Sequence, residues 1–211
     1  MNAFNIGQEV ESRGLDALLP FLRHRSFNGQ FTLTYKGALA KMLQQTVGDL
    51  LMNVANKGPD TVFSVEIKCE ERNAHDNLFL ETWSNRGFSP RRPGWMVTNQ
   101  ADFLWWYFLE SDELLVFNFR SLWNWALVDP QQNTRRGAGR MYDFPEKTQG
   151  KYEQQNLTAG RCVPIGVLAD EVRFKLFWPQ RNGCGDGFLI TSREQWLRER
   201  HQEPLPLFGG R

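Results

Sequence analysis

The stretch GDLLMNVANKGPDTVFSVEIKCEE, residues 48–71, holds two apolar runs on either side of a turn-forming segment. Asn56, Gly58, Pro59 and Asp60 are residue types that reverse a chain. DLLMNV and TVFSVEIK then read as the two strands of a hairpin. Side chains two apart on a strand point to the same face, which sets Glu66 and Lys68 side by side. Asp49 heads the first run, and antiparallel pairing brings it next to them. Two carboxylates and a lysine on one sheet surface are costly unless something compensates their charge. A bound divalent cation would do so.

Outward from this hairpin, the pattern alternates helices with short strands. Apolar residues recur at helical spacing over 4–25 (Ile6, Val10, Leu15, Leu18, Leu19, Leu22), with Glu9 and Glu11 in the early turns, where acids suit the helix dipole. Gly14 and Pro20 predict that this helix breaks or ends near Leu19. Residues 30–35 alternate as a strand, and 37–45 read as a short helix or turn. Downstream, 77–84 (NLFLETWS) reads as a third strand with Phe79, Glu81 and Trp83 on one face. Glu81 is there either a solvent-facing or ion-paired residue or a third carboxylate of the site. A loop over 85–94 carries Arg86, Arg91 and Arg92. Residues 95–98 suggest a brief strand. The aromatic run 101–110 (ADFLWWYFLE) fits helix or strand, since periodicity cannot decide a buried run of this length. A strand over 114–119 and a helix over 121–127 follow.

Residues 129–160 are polar and lack apolar periodicity. Arg135, Arg136 and Arg140, with nearby glycines, suit contact with phosphates, although a solvated loop is the commoner role for such a segment. A closing strand over 157–165, a short helix over 167–173 and a glycine-rich turn over 183–187 come next. Ser192 caps a helix over 192–201, and 204–211 form a tail.

The 211 residues are enough for one well-buried core. With 25 Lys and Arg against 24 Asp and Glu, nucleic-acid binding would need local basic clusters, not overall charge. Cys69, Cys162 and Cys184 are odd in number and widely spaced, which argues against a disulfide framework and for a reducing, cytoplasmic setting. Neither a signal peptide nor an eighteen-residue apolar run is present, so no membrane partner is expected.

The sequence holds no GxxxxGK[ST] loop, no GxGxxG after a strand, no HExxH and no GxSxG, and His24, His75 and His201 are dispersed. Phosphate-loop, histidine-zinc and serine-triad chemistry are therefore disfavoured. What remains is Asp49, Glu66 and Lys68. Mg²⁺, with Mn²⁺ as its usual substitute, takes hard oxygen ligands and keeps several waters. Asp49, Glu66 and the main-chain carbonyl of Ile67 could supply such oxygens, with Lys68 orienting or helping to deprotonate water and stabilising charge. Exposed strands also alternate Glu and Lys, so the pair alone would mark a solvated face. The acid at Asp49, a hairpin-sized turn and the apolar context of both strands favour a site.

This D…E-x-K hairpin, preceded by a helix, resembles the PD-(D/E)XK nuclease superfamily, in particular its phage and restriction-type members. The segments TVGDLLMN, VEIKCEE, NLFLETWSN, GWMVTNQADFLWWYF and QQNLTAGRCVPI carry the likeness across residues 1–175, with 176–211 as a C-terminal extension packed on or trailing from that domain. The resemblance implies an α/β fold with a restriction-endonuclease-like core, a central mixed β-sheet flanked by helices. It implies metal-dependent phosphodiester hydrolysis with DNA as partner, Asp49 and Glu66 as metal ligands and Lys68 as the catalytic lysine. A helix acid often completes such sites, here Glu9 or Glu11. Asp60 follows a proline, as the superfamily's name suggests, but lies in the turn; antiparallel geometry favours Asp49, with Asp60 as the alternative. Arg86, Arg91, Arg92 and the cluster of Arg135, Arg136 and Arg140 would then hold phosphates. A non-cleaving nucleic-acid-binding protein or a protein-interaction domain on the same fold is the competing expectation.

Overall fold

A computed structural model describes residues 3–33, 48–54, 61–86, 90–128, 139–150, 157–181 and 187–200, with the side chains of 3–8, 27–29 and 54 excepted. Helix α1 (Ala3–Arg25) runs into strand β1 (Ser26–Leu33), followed by β2 (Leu50–Val54), β3 (Val62–Glu70), β4 (Asn77–Asn85) and β5 (Arg92–Pro93). A single turn, α2 (Trp95–Thr98), leads to β6 (Phe103–Phe108), β7 (Glu113–Asn118) and α3 (Phe119–Leu127). A 3₁₀ turn (Arg140–Asp143) precedes β8 (Glu146–Gln149), β9 (Thr158–Pro164), α4 (Ile165–Glu171), β10 (Phe174–Phe177), β11 (Phe188–Ile190) and α5 (Arg193–Arg200).

These elements make a mixed α/β fold around a seven-stranded sheet ordered β1-β2-β3-β6-β7-β10-β11. Only β3 and β6 run parallel in it; the other neighbours are antiparallel. A second, antiparallel sheet has the order β5-β4-β9-β8. Residues of odd number on β3 and β6 face α1, where Val65, Ile67, Trp105 and Tyr107 pack against Leu15, Leu18, Phe21 and Leu22. Even-numbered β6 residues face the other way: Leu104, Trp106 and Phe108 pack with Leu78 and Leu80 of the second sheet and with α3 and α4. Ile190 of β11 and Trp196 of α5 belong to this same core, so the chain beyond residue 175 completes the sheet and covers one of its faces.

The hairpin of β2 and β3 forms with Leu50 opposite Val65 and Asn53 opposite Val62. The aromatic run over 103–108 is a strand, buried between the two cores from Leu104 to Phe108.

Two elements differ from expectation. Helix α1 does not stop near Leu19. Losing a helical hydrogen bond at Pro20 costs about 3 kcal/mol, but Leu18, Phe21 and Leu22 around it are buried, each worth about 1.5–3 kcal/mol. Residues 95–98 are a helical turn and not a strand, because the Gly94 carbonyl accepts from the N–H groups of Val97 and Thr98 and from the Thr98 hydroxyl. Strand β4 lies in the second sheet, paired with β9, and the place beside β3 belongs to β6. The expected elements over 37–45 and the turns over 55–60 and 183–187 fall largely or wholly outside the described residues, as does the tail. No described helix is long and apolar enough to cross a membrane.

Candidate active site

The site lies where β2 runs out. Its ladder with β3 ends at Leu50 opposite Val65, and Asp49 closes it by donating its main-chain N–H to the Val65 carbonyl at 2.8 Å. Gly48 allows the approach: its φ is +88°, and a Cβ there would stand 2.8 Å from the Val65 oxygen. Beyond this point, among the described residues, the strand partner of β3 is β6. The Asp49 carboxylate takes over, its Oδ2 accepting the Ile67 N–H at 2.9 Å. The N–H and C=O of one strand residue leave on the same side, so the Ile67 carbonyl also points to the side of β3 that Asp49 occupies.

Glu66 and Lys68 share the even-numbered face of β3, opposite Leu104 and Trp106. They form an ion pair between Glu66 Oε1 and Lys68 Nζ, with side chains 6% and 28% exposed respectively. The second Glu66 oxygen accepts from the Asn99 carboxamide, just beyond α2. The same turn sets the Trp95 ring 5.4 Å from the Lys68 ammonium, a distance at which the ring quadrupole attracts a cation. Burial pushes the Glu66 carboxyl above its ordinary pKa; Lys68 counters this and Asp49 reinforces it. Burial pulls the Lys68 ammonium down, but Glu66, Asp49 and Glu11 together outweigh it and hold Lys68 above its ordinary value.

Glu11 is the helix acid whose charge reaches the site. Burial raises its pKa, and the charges of Lys68 and Asp49 act on it directly. Two contacts hold α1 in this position. Arg13 grips Glu71 through both guanidinium nitrogens at 2.8 and 3.0 Å, and Gly14 lies so close to Cys69 that a Cβ would fall 2.4 Å from its sulfur. Glu9 is exposed, one turn away from Arg13.

The remaining candidates stand elsewhere. Glu81 lies in the second sheet, on the side of β4 away from Leu78 and Leu80, and accepts from the Ser84 hydroxyl. Arg86 is paired with Glu146, and Arg140 with Asp143 and Glu171. Arg91 and Arg92 are exposed and form no ion pair with a described residue. Asp60, Arg135 and Arg136 lie outside the described residues.

Three neighbours of the site were not foreseen. Glu70 follows Lys68 by one strand period on the same face, and burial pushes its carboxyl up to about 7. Extending the E-x-K alternation by two residues would have found it. Asn99 and Trp95 carried no such signal, because a turn from another part of the chain delivers them.

The donor set suits a hard cation. Asp49 and Glu66 offer carboxylate oxygens, and the Ile67 carbonyl is a neutral third. Among the described residues, no three His, Cys, Asp or Glu side chains gather into a complete metal shell. Mg²⁺ does not require one, since it commonly binds one or two carboxylates and completes its octahedron with water and phosphate. No protein-family model, curated protein or solved structure matches the chain.

Proposed function

We propose that the chain is a metal-dependent nuclease that hydrolyses phosphodiester bonds in DNA, built on a restriction-endonuclease-like core. The observation that carries this reading is the convergence of Asp49, Glu66 and Lys68 beside the end of the β2–β3 ladder, with the charge of Glu11 reaching them from α1. Acids gathered around a single lysine are poorly compensated as a purely structural feature, and they are matched to a cation and a phosphate arriving together.

Asp49, Glu66 and the Ile67 carbonyl would hold Mg²⁺ or Mn²⁺. When bound, such an ion polarises a phosphoryl oxygen and lowers the pKa of water. Lys68, kept protonated by its acidic neighbours, supplies positive charge where the pentavalent phosphorus gathers negative charge, and orients the attacking water. Asn99 fixes the Glu66 carboxylate, and Asp49 is fixed by the Ile67 N–H, so both acids are positioned before substrate arrives. Arg91 and Arg92 are exposed and available for phosphate contact, whereas Arg86 and Arg140 are held by acids.

The test is cleavage of single-stranded, duplex and branched DNA by wild type and Lys68→Ala, with Mg²⁺, with Mn²⁺ and with chelator. Metal-dependent cutting by wild type that disappears in the variant is the expected result. Binding without cutting would leave a non-cleaving nucleic-acid-binding protein, and neither activity would leave an interaction domain.

A further inference from the structure

A groove of about 630 Å³ opens beside Asn99, around the N-terminal ends of β3 and β6 and the start of α3. Asn99 links the groove to the site: its carboxamide holds Glu66 and its residue lines the groove wall. Phe63, paired edge-to-face with Phe103 at 5.4 Å between ring centres, lies at one end, and Trp123 lies on the wall with the Arg120 guanidinium 5.1 Å from its ring. Gln100 and Asn118 add carboxamides, both exposed. The Asn118 oxygen caps α3 by accepting the Ser121 N–H, which leaves its amide group as a donor. Asp102, the one acid on the wall, is turned onto the main-chain N–H and hydroxyl of Ser64 at 2.8 and 2.9 Å.

Resting on the nuclease reading, we propose that this groove receives an unpaired nucleobase, so that the preferred substrate is single-stranded DNA or a duplex with a single-stranded segment. The volume suits one nucleotide-sized ligand. Aromatic rings are the groups on which bases stack, carboxamides read base edges, and an arginine beside a ring serves both stacking and phosphate contact. A paired base cannot enter such a groove, because in a duplex its faces are already stacked.

The experiment is fluorescence anisotropy of a labelled mixed-sequence single strand and of the matching hairpin duplex, in chelator so that neither is cut. Wild type should bind the single strand at least tenfold more tightly than the duplex. Trp123→Ala should lose about tenfold on the single strand and less than twofold on the duplex, and Trp123→Phe should recover most of that loss. Arg120→Ala, an exposed change that spares folding, should weaken single-strand binding and flatten its salt dependence. Equal affinity for the two DNA forms, or single-strand affinity unchanged in both Trp123→Ala and Arg120→Ala, overturns the proposal. The two readings fail separately. Trp123-dependent binding without metal-dependent cutting removes the nuclease and keeps the base site, whereas Lys68-dependent cutting with Trp123- and Arg120-independent binding does the reverse.

Discussion

Asp112 and the Asp49–Glu66 pair are buried acidic centres that are satisfied in opposite ways. Asp112, in the turn between β6 and β7, is surrounded by donors. It accepts from the Tyr107 hydroxyl at 2.9 Å, from the Gln180 N–H and from the Arg181 N–H at 2.8 Å. Its backbone is left-handed, with φ at +53°, a conformation in which a short acidic side chain is better tolerated than most. The Asp49–Glu66 centre carries more like charge: two carboxylates, with the charge of Glu11 acting on them, and one lysine among them. A carboxylate ringed by donors holds loops together. Carboxylates facing one another around a single cation retain affinity for further positive charge, which is what a metal site needs.

The largest effect that could break this comparison is catalytic. Lys68→Ala should lower metal-dependent cleavage by about 10²–10³-fold, the loss typical of removing one group that stabilises transition-state charge, while its circular dichroism stays that of wild type. Asp112→Ala, measured the same way, should lose activity only in proportion to its unfolded fraction.

Stability should rank the centres in reverse. Asp112→Ala strands two main-chain N–H groups and a buried hydroxyl, and should cost about 3 kcal/mol in denaturant unfolding. Asp112→Asn keeps an acceptor oxygen and should cost less. If Asp112→Ala unfolds no more readily than wild type, the structural role given to this acid is wrong.

Metal binding distinguishes them next. Mg²⁺ at 100 times its Kd should stabilise wild type by about 2.7 kcal/mol, read as a rise in Tm. Glu66→Gln should lose this rise, and Asp112→Asn should keep it. A rise that survives Glu66→Gln would place the cation elsewhere.

The smallest effect is on pH dependence. Burial raises the carboxyls of Glu66, Glu70 and Asp112, so the folded protein holds protons that the unfolded chain has released. Each therefore subtracts stability as pH climbs from the ordinary carboxylate range to its folded value; for Glu70 the window closes at about 7. Lys68 does not contribute in this range, because its raised pKa keeps it protonated throughout. Glu70→Gln should match wild type in Tm near pH 4 and exceed it at pH 8. Parallel Tm curves for the two proteins across that range would show that Glu70 is not buried as described.

The centre on β3 was legible because its signal is local. Period-two alternation alone sets Glu66 and Lys68 on one face, and the hairpin register, a short-range property of DLLMNV and VFSVEIK, brings Asp49 opposite Glu66. Asp112 gave no such sign, since its partners Gln180 and Arg181 are nearly seventy residues away. Separation in sequence, 33 residues between Glu66 and Asn99, also hid Asn99 and Trp95 and left Glu9 and Glu11 equivalent. Helical periodicity places both acids in the early turns of α1, but it is the tertiary seating of α1, with Arg13 on Glu71 and Gly14 on Cys69, that leaves Glu9 exposed and Glu11 within electrostatic reach of Lys68. Residues 77–84 were legible as a strand and not as a member of the second sheet, because alternation records which side is buried and not which strand lies alongside. Spacing along the chain thus determined which groups of the hairpin share a face. Long-range pairing, which no local pattern encodes, decided that β6 lies beside β3 past the end of the β2 ladder, and which groups near α1 and α2 act on the site there.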